Sequence, residues 1–346
     1  MKAPDINNTR PDVAVIILNW NGAALLREFL PVVLATTDQS VARVIVADNG
    51  STDSSRQVLA EEFPEVECIF FEKNHGFAEG YNKAIDMTRY RYTVLLNSDV
   101  ATTPGWISAL HAFMESHPDV GACQPKILSY RDPSKFEYAG AAGGYLDRNG
   151  FPYCRGRIFA DCESDHGQYD ADADVFWASG ACLMVRSELY LKVGGLDPRF
   201  FAHMEEIDLC WRILLDGFRV AAVGMASVCH LGGGSLPDTD PRKTYLNFRN
   251  NLLMLHKNLP DGVRGRRLLI RRLLDTVAWC KFVAALKFRF AAAIFRAHRD
   301  FARMRQDYRV HPHIDMLTQM PQCRINIVVQ YYLRGKKKFS QLKFKK

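Results

Sequence analysis

The feature that most constrains this chain is a series of short apolar runs in its first hundred residues. Residues 13–19 (VAVIILN), 41–47 (VARVIVA), 66–71 (VECIFF) and 92–96 (YTVLL) are rich in β-branched and aromatic side chains. Three of them are continuous rather than alternating, as strands buried on both faces must be. Between them, residues 22–34, 53–63 and 77–87 space their apolar positions as helices do, and Pro104 suits the first position of a helix reaching about residue 116. Strands alternating with helices at this interval predict an α/β fold with a mainly parallel, Rossmann-like sheet. In such sheets ligands bind beyond the carboxyl ends of the strands. The clusters Asn19-Trp20-Asn21, Asp48-Asn49-Gly50-Ser51 and Asn97-Ser98-Asp99 all fall at such ends.

The pattern loosens after residue 124, and residues 130–175, rich in Gly, Asp and aromatics, read as an irregular insertion. A strand over 176–185, a helix from 187, a helix over 205–216 and a strand over 219–223 follow. A long helical region runs from 244 to about 309, interrupted near 260–262. No G-x-G-x-x-G follows the first strand, and no G-x-x-x-x-G-K-[ST] or G-x-S-x-G occurs. Dinucleotide binding, a P-loop NTPase and the common α/β-hydrolase are thereby disfavoured.

Several polar residues carry two readings. Asp99, just past a buried strand, is either a turn or capping residue or a carboxylate for Mg²⁺ or Mn²⁺, which keep one or two protein carboxylates and bind substrate phosphates. Asp48 in Asp-Asn-Gly-Ser is ordinary turn chemistry or part of a ligand site. Glu205-Glu206-Ile207-Asp208 opens a helix, where acids are favoured by the macrodipole, yet a carboxylate there can also serve as a general base. His230 precedes Gly232-Gly233-Gly234-Ser235, and is either structural or a partner ligand for a divalent cation.

Taken together, V-I-I-L-N-W-N-G (15–22), V-A-D-N-G-S-T-D (46–53), N-H-G-F-A-E-G-Y-N (74–82), L-L-N-S-D-V (95–100), W-A-S-G-A-C-L-M-V-R (177–186), F-F-A-H-M-E-E-I-D-L-C-W-R (200–212) and H-L-G-G-G-S (230–235) resemble family 2 glycosyltransferases of the GT-A fold. The likeness is strongest to bacterial rhamnosyltransferase-like enzymes of surface polysaccharide synthesis. It covers residues 13–256, with a donor half at about 13–125 and an acceptor half at about 126–256. The resemblance implies a nucleotide-diphosphate-sugar donor held by Leu18, Asn19, Asp48, Asn74, Gly76, Asn97 and Ser98. It implies a divalent metal, Mg²⁺ or Mn²⁺, on Asp99 with His230 as distal partner, Asn97 replacing the first Asp of D-x-D. It places Trp177, Gly180 and Glu205 at the acceptor and sugar pocket. Glu206, where the family usually has Asp, becomes the catalytic base of an inverting transfer.

Charge separates the chain's two parts. Residues 1–256 carry 23 basic and 33 acidic side chains, whereas 257–346 carry 22 and 5. The second part is expected to be a basic helical extension. Leu273, Val277, Cys280, Ala284, Phe288, Ala291 and Phe295 recur on one side, with Lys281, Arg289, Arg296, Arg299 and Arg303 on the other. Such a helix either lies in an anionic membrane interface or packs on the catalytic body. The interfacial reading fits a glycan or lipid-linked acceptor and disfavours nucleic acid. Residues 276–290, broken by Lys281, Lys287 and Arg289, fall short of a spanning segment. Nine scattered cysteines without a C-x-x-C pair, and a polar N-terminus without a secretory signal, suit a cytoplasmic protein, peripheral on the inner face of the cell membrane. Two competing functions are a sugar nucleotidyltransferase, which should show a Gly-rich basic loop after the first strand, and a non-catalytic membrane scaffold whose altered D-x-D holds no metal.

Overall fold

A computed structural model describes residues 11–232, 240–308 and 312–344. Four strands are laid down first: β1 (Val13–Asn19), β2 (Ala42–Asp48), β3 (Glu67–Phe70) and β4 (Tyr92–Leu96). The helices α1 (Ala23–Thr36), α2 (Ser55–Glu62) and α3 (Gly76–Thr88) connect them. All four pair in parallel in the order β3-β2-β1-β4, with Asn19 opposite Asp48. The run VAVIILN explains itself in this setting. Val13, Val15 and Ile17 enter the core layer holding Leu26, Val58 and Leu110, while Ala14 and Ile16 enter the layer holding Tyr81, Ile85 and Trp211. Each such aliphatic side chain removed from water contributes about 1.5–3 kcal/mol, so neither face tolerates a polar residue.

After β4 come β5 (Val100–Thr102), α4 (Trp106–Ser116) and β6 (Val120–Ser129). The insertion that looked irregular forms four short strands, β7 (Gly144–Leu146), β8 (Pro152–Cys154), β9 (Arg157–Ile158) and β10 (Asp161–Cys162), paired as a second, antiparallel sheet. The main sheet then continues through β11 (Ala173–Val175), β12 (Cys182–Arg186), α5 (Ser187–Lys192), α6 (Glu205–Leu215) and β13 (Arg219–His230). Its full order is β3-β2-β1-β4-β12-β6-β13-β11, and β12 runs antiparallel to both neighbours. Three expectations need correcting. Of the strand foreseen at 176–185 only the end forms, as β12; residues 176–181 lead to it from β11, with Trp177 bridged to Gly144 and its ring packed there. The strand foreseen at 219–223 continues to His230. Pro104 lies ahead of the helix, whose N-cap is Gly105 at φ +78°.

The long helical region divides into α7 (Pro241–Asn258), α8 (Asp261–Ala284) and α9 (Phe288–Met304). The unforeseen second break is at Leu286, which adopts φ +56° while Phe282 and Phe290 stack across the corner at 5.3 Å. No Gly or Pro marks it. The chain beyond α9 returns over the second sheet, and Leu317, Cys323 and Ile327 are buried in the core layer that holds Ile16, Tyr81 and Trp211. Tyr153 Oη donates to the Gln322 carbonyl at 2.7 Å, and Asp147 accepts from the Ile327 amide at 3.0 Å. The change in charge at residue 256 therefore falls within α7 and marks no gap in the packing.

Candidate active site

In the order β3-β2-β1-β4, the chain winds outward from β1 and then returns to its other side, so β1 and β4 flank the switch point where a crevice must open. Asn19 ends β1 there, fully buried. It donates to Asp48 Oδ2 at 3.1 Å and to Ser51 Oγ at 3.3 Å, while its own Oδ1 has no partner. Asp48 is also fully buried, and its other oxygen accepts from the Ser51 amide at 3.1 Å and Arg56 Nε at 3.0 Å. Asn49 secures the neighbouring loop: its Oδ1 accepts from the His75 amide, and its Nδ2 donates to Asn74 Oδ1 and the Gly76 carbonyl. Gly76 sits at φ +79°, which a side chain would strain. Leu18 packs on Gly80, where a Cβ would meet it at 2.9 Å. Asn49 and Ser51 belong to the strand-end cluster 48–51, whereas Arg56, at the start of α2, was not foreseen as a partner of Asp48.

At the end of β4, the Asn97 amide donates to the Ala181 carbonyl at 3.0 Å, while Asn97 and Ser98 are half-buried. Strand β5, which the sequence reading passed over, pairs Val100 with His230 on β13. That pairing brings together residues 131 positions apart: His230 Nε2 lies 3.1 Å from Asp99 Oδ1. Asn97 Nδ2 is 3.5 Å from the same nitrogen, and Glu137 Oε2 lies 3.3 Å from His230 Nδ1. Burial opposes a charge on His230, but its contacts with Asp99 and Glu137 outweigh that and raise its pKa to about 9. Glu137 comes from the stretch without periodicity, so no sequence signal pointed to it. Gly233, Gly234 and Ser235 lie outside the described residues.

Asp99 and His230 suit a divalent cation that displaces the proton between them, freeing the imidazole nitrogen to act as a ligand. One carboxylate oxygen and one imidazole nitrogen 3.1 Å apart match neighbouring ligands around a six-coordinate ion with bonds of roughly 2.1 Å. Among the described residues no cluster of three or more His, Cys, Asp or Glu side chains forms a complete cage. A cation held here would therefore complete its shell from substrate oxygens, as Mg²⁺ and Mn²⁺ commonly do.

The opposite wall comes from α6. Gly180, next to Ala181, faces Glu206, and a Cβ on it would lie 3.6 Å from Glu206 Cβ and 3.8 Å from Phe77. The Asn97–Ala181 hydrogen bond thus ties the wall carrying Glu206 to the end of β4. Burial pushes the Glu206 carboxyl up to about 7, against the pull of backbone amides at the helix start. Glu205 is pushed well above the carboxylate range by burial and by the Glu206 charge, and its Oε2 has no hydrogen-bond partner. Trp177, 3% exposed, donates from Nε1 to the Tyr145 carbonyl and packs its ring on Gly144 of the second sheet.

The loop leading into α6 is strained: Phe201, His203 and Met204 have φ of +66°, +70° and +74°. Such backbone persists only where its surroundings hold it. Asn250 on α7, wholly buried, donates to the carbonyls of Phe200, Ala202 and His203, each at 2.8 Å, and Arg249 reaches those of Arg199 and Phe200. Lys257 bridges Asp197 and Asp208 at 2.9 Å each, fixing α6 from behind.

A parallel nucleotide-type half sheet, extended by an antiparallel strand, with acidic residues at its carboxyl edge, is the architecture of a GT-A glycosyltransferase. The chain belongs to glycosyl transferase family 2, whose profile matches residues 14–189. Among curated relatives, it is 29% identical over 233 residues to the N-acetylglucosaminyl-diphospho-decaprenol L-rhamnosyltransferase of Mycobacterium tuberculosis, covering 62% of this chain and 75% of that one. The fold is shared with S. aureus TarS 1-349 in complex with UDP-GlcNAc (TM-score 0.56, 14% identity, 84% of this chain and 80% of that one). It is shared also with GalNAc-T7 bound to UDP, GalNAc and Mn2+ (TM-score 0.55, 14% identity, 74% and 49%).

Proposed function

We propose that this glycosyltransferase moves a sugar, with inversion, from a nucleoside-diphosphate-sugar to a hydroxyl of a lipid-linked glycan in cell-surface polysaccharide synthesis. The observations that carry this reading are the Asp99–His230 pair at the end of β4 and Glu206, its carboxyl pushed up to about 7, against Gly180 in the segment that the Asn97–Ala181 hydrogen bond ties to that end. A base is most effective when its pKa lies near the working pH. Glu206 takes the proton from the acceptor hydroxyl as that oxygen forms its bond to the anomeric carbon. The bond from that carbon to the diphosphate breaks on the opposite face, and the electron pair leaves with the nucleoside diphosphate. Asn19, Asp48, Asn74, Gly76 and Asn97-Ser98 line the donor side, with Leu18 beneath. Gly180 leaves room for the sugar between Phe77 and Glu206, and Glu205 supports that wall.

Asp99 and His230 would hold Mg²⁺ or Mn²⁺, which when bound supplies positive charge for the departing diphosphate. GalNAc-T7, which shares the fold and binds UDP and Mn2+, supports that assignment. The relative acting on a diphospho-decaprenol acceptor supports a lipid-linked substrate. A working place at the inner face of the membrane follows from that acceptor and from the basic C-terminal helices. Glu206→Gln is expected to lower kcat by at least about 10³-fold while a nucleoside diphosphate with Mn²⁺ still raises Tm as in the wild type. Near-normal turnover in that variant would remove Glu206 from the role.

A further inference from the structure

Beside the catalytic loop lies an open pocket of about 440 Å³, lined by Asp240, Pro241, Arg242, Arg289, Ala292 and Arg296. It joins the start of α7 to one face of α9. Arg289 and Arg296 are seven positions apart, two turns of helix, so both project on the same side. All three guanidiniums are exposed, and among the described residues none forms an ion pair with a carboxylate. The Asp240 carboxylate is occupied as the N-cap, accepting from the Arg242 amide at 2.8 Å. Three positive charges and one negative leave an excess of two, which is the charge of a diphosphate diester.

Location gives this excess a purpose. The Arg242 guanidinium lies over the Phe201 ring, 4.9 Å from its centroid, and the edge of that ring is 4.0 Å from where a side chain would start on Gly76. One aromatic ring thus separates the pocket from the donor loop, and the strained backbone from Phe201 to Met204 runs on to Glu205-Glu206. Along α9, Phe288 and Phe295 precede the two arginines by one position each, forming a parallel apolar stripe 60% and 68% exposed. Cationic forks beside an exposed apolar stripe suit a ligand that is a phosphate at one end and a hydrocarbon at the other.

We propose that Arg242, Arg289 and Arg296 bind the diphosphate joining glycan to lipid in the acceptor, with Phe288 and Phe295 against the first part of the lipid chain. The assignment rests on the lipid-linked reading above and locates that acceptor's charged linkage.

The test is vesicle binding by the full chain. Phosphatidylcholine vesicles carrying farnesyl diphosphate are compared with others carrying phosphatidylglycerol at equal surface charge, and inorganic pyrophosphate serves as competitor. The wild type is expected to bind the diphosphate vesicles about 10-fold more tightly, each charge-assisted contact being a sizeable fraction of a decade, with pyrophosphate reducing that preference. Arg289→Gln/Arg296→Gln should erase the preference, bringing the ratio of the two affinities to about 1, while binding to both kinds of vesicle weakens with the charge removed. Arg289→Lys/Arg296→Lys should recover only part of it, since lysine lacks the planar fork. Arg242→Gln gives a second, single-site variant, and unchanged thermal stabilisation by a nucleoside diphosphate with Mn²⁺ verifies folding and the donor site. A preference retained in both glutamine variants overturns the pocket and leaves the lipid-linked acceptor standing. Absence of any preference in the wild type, with donor stabilisation intact, overturns both.

Discussion

Glu205 and Glu206 are adjacent in sequence but differ in surroundings, and that difference divides their roles. Glu206 meets backbone amides at the start of α6, whereas Glu205 is buried beside the Glu206 charge with one oxygen unpartnered. The proton shared by such a pair therefore resides on Glu205 near neutral pH, leaving Glu206 as the carboxylate. Because only that form accepts a proton, kcat/KM is expected to fall tenfold per pH unit below about 7 and to plateau above. Initial rates over roughly pH 5–9 check this, and a limb centred near the ordinary glutamate pKa would refute it. A second effect concerns stability. Both folded pKa values are raised, so the pair stabilises most below the unfolded glutamate pKa, and that contribution is lost as pH rises through the folded values. Glu205→Gln, which keeps the neutral shape, is expected to raise Tm at alkaline pH and leave it nearly unchanged in mild acid.

Among the elements, the four parallel strands and the helices to residue 116 were legible because β1, β2 and β4 are buried at nearly every position and written as apolar runs, while β3, at the sheet edge and exposed at Glu67 and Phe70, keeps the same spacing between helices. The candidate site was only partly so. Asn19, Asp48 and Asn97-Ser98-Asp99 could be located from strand ends alone, but the meeting of Asp99 with His230 depends on β5, three residues long and without a pattern of its own. Glu137 was hidden for a related reason: tertiary contacts, rather than local periodicity, order residues 130–175. The support of Glu206 was equally invisible, since Arg249 and Asn250 read as polar positions on an ordinary helix. Asn250→Ala would free three carbonyls and let the left-handed turns at Phe201, His203 and Met204 relax. Misplacement of a catalytic group by about 1 Å can cost 10²-fold. The expected outcome is a kcat lowered by about 10²-fold, KM for the donor little changed, and stability reduced by about 1–3 kcal/mol. A loss confined to stability, with kcat preserved, would show that the clamp does not position the base.

Over the whole molecule, net charge splits the chain where packing does not. The basic C-terminal quarter supplies Leu317, Cys323 and Ile327 to the core, and Phe339 stacks on Tyr145 at 5.8 Å. Deleting residues 263–346 would therefore expose the second sheet. The loss is expected to exceed the 5–15 kcal/mol that holds a typical domain together, yielding an insoluble chain rather than a soluble enzyme. Membrane attachment must be tested on the surface instead. No helix among the described residues is long and apolar enough to cross a membrane. Yet Leu273, Val277, Phe288 and Phe295 stand 60–68% exposed on α8 and α9, while the opposite side of α9 is buried through Ala293, Ile294 and Phe301. One face of this helical region thus packs on the body, and another is left exposed. Inserting an apolar side chain into a bilayer interface gains up to about 1.5–3 kcal/mol, so four changes to serine should lower partitioning onto phosphatidylglycerol vesicles by at least about 10²-fold. Because these side chains touch water already, Tm should move little. Added salt should weaken wild-type binding through its lysines and arginines but not abolish it. Partitioning unaffected by the four serines would mean that charge alone brings this enzyme to a surface, and that the apolar stripe has another occupant.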